Sequence, residues 1–287
     1  MNYCKIDCVW VLIFLLATLA WAQPAGAPKP VFPDDTQDPK QAGGAELLKA
    51  VCPGHVVVGK NIECKMVCPA DIAFRNESDW TLTAIARGHF LSPISDNAVL
   101  SMEGCESHAY NFGGTILLTR QSGKWTKLWY KGGVPTEKCH RGKLQNGREI
   151  LVCLGEYGGQ GGVSMELYIE DLLAPKIALM ADHGPTFFSV DDTTGTCGED
   201  PEDDSKTFPL TRGYIERVEF HNAADGALQG LSVFGRHGER SITPAQAKAC
   251  WPDHALNFLP PTEPYRVDFK FDGKRMVRVG SSPGAPK

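Results

Sequence analysis

The densest run of potentially reactive groups in this 287-residue chain is Gly155-Glu156-Tyr157-Gly158-Gly159-Gln160-Gly161-Gly162. Glycine lets a backbone approach a ligand closely, and Glu156, Tyr157 and Gln160 offer polar contacts beside it. The plainer reading is a long hairpin loop between two strands. A second run, residues 191–204, carries the acids Asp191, Asp192, Glu199, Asp200, Glu202, Asp203 and Asp204. Calcium takes about six to eight oxygen ligands, so a calcium loop is one reading of these carboxylates. The alternating Asp/Asn spacing of a calcium hand is absent, which makes a solvated acidic loop the other reading.

The remaining motifs argue mostly against chemistry. Gly54-His55-Val56-Val57-Val58-Gly59-Lys60-Asn61 matches a phosphate loop as far as its lysine but ends in Asn. Three valines read as strand, whereas a phosphate cradle needs a glycine loop opening a helix. The histidines form neither HxxxH nor HExxH, so zinc hydrolysis has no local signature. Cys64-x3-Cys68 has neither redox nor zinc-knuckle spacing, and Cys139-His140 lacks the preceding cysteine of haem attachment. The strand-rich pattern gives no strand–turn–helix to form the nucleophile elbow of an α/β-hydrolase. A hydrolase could still gather its groups from distant positions, with His108 or His183 as bases. Trp80, Trp125, Trp129 and Trp251 suit either sugar stacking or a core; Trp125 and Trp129 share a face if their strand is regular. Asn76-Glu77-Ser78 is a glycosylation sequon in a eukaryotic secretory context.

Location is clearer than chemistry. Lys5 precedes the apolar run Val9–Ala20, and Ala20-Trp21-Ala22 supplies small residues for cleavage before Gln23. Twelve apolar residues fall short of the about 20 a bilayer requires. The expectation is a cleaved signal over 1–22 and a secreted or periplasmic protein without a transmembrane anchor. The 29 basic residues against 34 acidic ones, net charge −5, give no field for nucleic acid. Residues 23–44 contain five prolines and read as a flexible linker, 45–279 as a disulfide-containing β-rich domain and 280–287 as a loose tail.

Export leaves Cys52, Cys64, Cys68, Cys105, Cys139, Cys153, Cys197 and Cys250 in an oxidising compartment, where disulfides are expected. One pair follows from hairpin register. If Gln145-Asn146-Gly147 is a type I turn with left-handed Gly147, then Leu144 faces Arg148 and Cys139 faces Cys153. The pairing of the other six is open.

The elements that carry these residues read as antiparallel β structure. Strand-like stretches alternate with Ser122-Gly123, Asn146-Gly147, Asp225-Gly226 and Asp272-Gly273, dipeptides favoured in tight turns. Helix signals are confined to Ala45–Val51 and Thr243–Cys250, the second with Thr243 as cap and Pro244 in the first turn.

Two stretches echo each other: Gly88-His89-Phe90, Ala98–Leu100, Gly104, Gly113-Gly114 and Ile116–Leu118, then Gly142–Leu144, Glu149–Leu151, Gly155, Gly161-Gly162 and Met165–Ile169. A spacing of about 50 residues suits one four-stranded propeller blade. Glycine, apolar strand, glycine pair and strand in this order resemble the FG-GAP repeats of integrin-type β-propellers over about 80 residues. That resemblance implies blade-like sheets; the acids of the family's calcium loops are missing at Ser95-Asp96-Asn97 and Gln145-Asn146-Gly147. A β-sandwich accommodates the same strands. The function expected is binding of a protein, small molecule or carbohydrate, with no cofactor unless calcium. An exported hydrolase and a structural envelope protein are the alternatives.

Overall fold

Alternation of β-branched and aromatic residues with glycine turns produces three antiparallel meanders. The computed structural model describes residues 28–65, 80–104, 114–131, 136–159, 162–170, 172–173, 186–194, 207–249 and 259–286. Sheet I contains β1 (His55–Val58), β2 (Ile62–Lys65), β3 (Trp80–Gly88), β4 (Asn97–Glu103), β5 (Gly114–Gln121) and β6 (Lys124–Lys131), in that order. Sheet II contains β7 (Cys139–Lys143), β8 (Glu149–Gly159), β9 (Gly162–Glu170) and β10 (Thr186–Asp192). Sheet III contains β11 (Phe208–Asn222), β12 (Leu228–Ile242), β13 (Glu263–Phe271) and β14 (Met276–Ser281). Every neighbouring pair is antiparallel, so the all-β class expected from the sequence is the class observed.

The described helices are α1 (Gly44–Lys49) and α2 (Pro244–Ala249). Thr243 Oγ1 accepts the Gln246 amide at 3.3 Å while Gln246 Oε1 accepts the Thr243 amide at 2.8 Å, a reciprocal cap that starts α2. All four turn dipeptides close hairpins. Their glycines have φ of 81° at Gly123 and Gly147, 82° at Gly226 and 100° at Gly273.

Period-two alternation sends neighbouring side chains to opposite sides of sheet II, and this stacks the meanders. Ile150, Val152 and Leu154 join Leu231, Val233, Val267 and Phe269 between sheets II and III. Leu151, Cys153 and Tyr168 join Val99 and Leu117 between sheets I and II. The other side of sheet I is covered by Leu47 and Leu48 of α1. The two echoing stretches fall on β3–β4–β5 and β7–β8–β9.

Residues 31–41 depart from the expected flexible linker: they form a strap across all three sheets. Val31 bridges Arg217 of β11, and Gln37 exchanges two backbone hydrogen bonds with Ile85 of β3, at 2.8 and 3.1 Å. Between them, the Asp35 amide donates to the Cys139 carbonyl of β7 at 2.8 Å. Phe32 packs edge-on to Phe220, with centroids 5.8 Å apart. Composition misleads here because prolines also lower the entropy of the unfolded chain, so an extended proline-rich segment is inexpensive to dock. The expected loose tail likewise turns back, its Ser282 amide donating to Arg266 O at 2.9 Å and Ala285 packing on the core.

Sheet I corrects one face assignment. A bulge between Leu117/Trp129 and Leu118/Lys127 inserts Leu128 and inverts the side-chain phase. Trp125 consequently packs toward α1 and Trp129 toward sheet II.

Candidate functional site

Three hairpins converge at one end of sheets II and III. In the β7–β8 turn, the Leu144 amide donates to Arg148 O at 2.7 Å and the Gly147 amide to Leu144 O at 2.9 Å. This is the expected register: Cys139 pairs with Cys153 across the ladder, their Cα atoms are 4.1 Å apart, and a disulfide joins them. The β11–β12 turn is held by the Ala227 amide on Asp225 Oδ1 at 3.0 Å, and Lys143 Nζ reaches across to Asp225 O at 3.2 Å. In the β13–β14 turn, the amides of Lys274 and Arg275 both donate to Asp272 Oδ1 at 2.9 Å.

Between these turns lies a cleft of about 700 Å³, within the size range of small-ligand sites. Its apolar lining is Leu144, Leu228, Phe271, Val277 and Val279. Leu228 belongs to the core between sheets II and III, and Leu144 and Phe271 pack against that core. The cleft is therefore where this core opens to solvent. Val279 is 62% exposed because a bulge leaves it without a partner on β13, where Asp268 faces Gly280 and Phe269 faces Arg278. Lys270 and Asp272 supply the charge, with Gln145 and Asn146 as neutral polar groups. Backbone hydrogen bonds from Arg275 and Lys274 hold the Asp272 carboxyl below its usual range.

A serine, a histidine and an aspartate also meet on the outer face of sheet III. His221 Nε2 lies 2.8 Å from Ser232 Oγ, which donates to Asp268 Oδ1 at 2.5 Å. This hydrogen bond holds the Asp268 carboxyl below its ordinary range, aided by Arg266. The polarity opposes nucleophilic catalysis. A triad serine gives its proton to histidine, whereas the single proton of Ser232 points at the carboxylate, leaving His221 to act as the donor. Ser232 is also fully buried. Beside it, Phe234 sits between Arg217 and Arg266, whose guanidinium carbons are 4.2 and 5.5 Å from the ring centroid. Each arginine has an acidic neighbour, Glu219 and Asp268 respectively.

The residues singled out in the sequence are distributed differently. Glu156 and Tyr157 lie within the β8–β9 ladder, opposite Met165 and Ser164, so the glycine run extends two strands instead of forming a long loop. Gln160 lies outside the described residues. Asp191 and Asp192 end β10, where Asp192 Oδ1 accepts the Thr194 amide at 2.9 Å. Glu199, Asp200 and Asp203 lie outside the described residues, as do Cys68, Cys105, Cys197, Cys250, His108, His183 and Trp251. Among the described residues no group of three or more His, Cys, Asp or Glu side chains could hold a metal ion. Cys52 is bonded to Cys64, a pair the sequence left open. Gly54–Asn61 contains β1 and its turn, and strand β2 follows directly. Trp80 is buried edge-on to Tyr130 at 5.6 Å, a core role.

Of the cleft residues, Leu144, Gln145, Asn146, Asp272 and Gly273 enter the sequence reading only through their turns, and none as a binding group. The one available signal was Val277-x-Val279 at the end of the last strand, and in sequence such alternation reads as a core-facing strand. No protein-family model matches the chain, and no curated protein or solved structure is significantly similar to it.

Proposed function

We propose that this disulfide-stabilised β-rich protein is exported and acts by binding a ligand in the cleft between the β7–β8 and β13–β14 hairpins. The observation that carries the reading is an apolar core that reaches solvent at Leu144 and Phe271, in a cleft also lined by the exposed Val277 and Val279. Exposed apolar groups contiguous with a core mark binding grooves more often than bare surface. Two disulfides favour an oxidising compartment, and no described helix is long and apolar enough to cross a membrane. The signal-like segment 1–22 supplies the export route. The FG-GAP-like reading belongs to the same proposal, since the echoing stretches fall on consecutive strands of two stacked meanders. Binding is favoured over hydrolysis by the proton arrangement at Ser232.

The test is titration of the mature protein with N-phenyl-1-naphthylamine, a neutral apolar dye. One saturable site, lost in Val279→Asp without a change in circular dichroism, is expected. Absence of saturable binding, or unchanged binding in the variant, would overturn the reading.

A further inference from the structure

Resting on that binding reading, we infer that the ligand is an amphiphilic carboxylate, with its apolar chain in the cleft and its carboxylate at Lys270. The walls specify the chain. Leu144, Leu228, Phe271, Val277 and Val279 come from the β7–β8 turn, β12, β13 and β14 and offer no polar atom beyond backbone. An unbranched chain laid among them continues the core between sheets II and III outward. Each further methylene removed from water tightens binding by up to about fourfold.

The polar lining specifies the head group. Asp272 is already an acceptor for the Lys274 and Arg275 amides, and its carboxylate lies 3.4 Å from Arg275 Nε. Lys270 stands at the exposed end of β13 and has no ion-pair partner among the described residues. Asn146 uses its Oδ1 to accept the Arg148 amide at 3.0 Å, which leaves its NH₂ group as a second donor at the cleft. The uncommitted charge is thus positive, and the uncommitted amide presents donors. A carboxylate satisfies both, whereas a quaternary ammonium would meet Lys270 as a like charge and an alcohol would leave that charge unmatched.

A second cleft, which includes Lys40, Ala45, Glu46, Lys49, Val58 and Ile62, is smaller, about 500 Å³, and its two lysines accompany a carboxylate.

The experiment compares decanoate, octanoate, 1-decanol and decyltrimethylammonium by calorimetry, below their micelle concentrations, on wild-type protein and on Lys270→Gln. Decanoate is expected to bind with a stoichiometry of one. Octanoate should bind about tenfold more weakly, as expected from two fewer methylenes. Lys270→Gln should weaken decanoate by about tenfold or more, the scale of a charge-assisted hydrogen bond, and 1-decanol much less, at an unchanged melting temperature. Equal binding of decanoate and decyltrimethylammonium, or unaltered decanoate affinity in Lys270→Gln, would overturn the carboxylate assignment and leave the binding reading standing. Failure of both dye and decanoate to bind the wild type would remove the binding reading itself.

Discussion

Asp34 Oδ1 accepts the backbone amide of Cys139 at 3.2 Å, joining positions 105 residues apart in sequence. The same oxygen accepts the Thr36 amide at 2.9 Å, and the one proton of the Thr36 hydroxyl is shared between Asp34 Oδ1 and Glu137 O, each 2.8 Å away. The strap is thus tied to sheet II at the point where the disulfide hairpin begins. Asp34→Ala removes the acceptor of the Cys139 and Thr36 amides and is expected to cost about 1–2 kcal/mol, read as a lower urea midpoint at unchanged slope. Asp34→Asn keeps an oxygen in place and should cost less. A strap that contributes nothing to stability would leave both midpoints at the wild-type value.

The Cys139–Cys153 bridge closes a short loop, with a sequence separation of 14. In the chain-entropy account such a loop is worth about 3 kcal/mol. The Cys139→Ala/Cys153→Ala double variant should lose roughly that amount in denaturant unfolding. A non-reduced peptide map should recover Cys139 with Cys153 and Cys52 with Cys64. Recovery of any of the four with another cysteine contradicts the structure.

His140 links the strap to pH. Its ring stacks on Phe220 with centroids 4.0 Å apart, and Nδ1 lies 2.8 Å from Asp35 Oδ2 without an aligned hydrogen bond at either ring nitrogen. Burial is the largest influence and pushes the imidazolium pKa down; Asp35 opposes it and Arg141 adds to it. The folded protein therefore binds fewer protons than the unfolded chain below about pH 6.5. Stability from this group is complete above that pH and is lost as pH falls through the lower, folded value. Urea midpoints of wild type and His140→Gln should diverge at neutral pH and converge on acidification. Parallel profiles would remove His140 as the cause.

Sheets I and II also share a buried charge pair. Lys131 Nζ lies 2.9 and 3.1 Å from the two oxygens of Glu170, with side-chain exposures of 8% and 2%. Lys131→Met leaves a carboxylate in the interior and should cost about 3–5 kcal/mol. Adding Glu170→Gln should restore part of that loss. No recovery in the double variant would mean that Glu170 is not the partner that matters.

What the sequence disclosed follows the range of its signals. Local rules located the four glycine turns, the start of α2 and the Leu144–Arg148 register, because each depends on a few neighbouring residues. Phase errors came from bulges: Leu128 and Val279 are each one extra residue, which periodicity cannot register in advance. The strap was hidden because its partners at Ile85, Cys139 and Arg217 are long-range. The candidate site was hidden for the same reason, since Leu144, Leu228 and Val279 belong to hairpins that only stacking brings together. The glycine run drew attention through composition, yet its residues serve the β8–β9 ladder.

The most direct test of binding in this cleft is a methyl-labelled proton–carbon spectrum recorded while N-phenyl-1-naphthylamine is added. The methyl signals of Leu144, Leu228, Val277 and Val279 should shift together and saturate, while those of the similarly exposed Val57 and Val58 at the far edge of sheet I stay in place. Shifts centred on Val57 and Val58, or none at the cleft, would contradict the account.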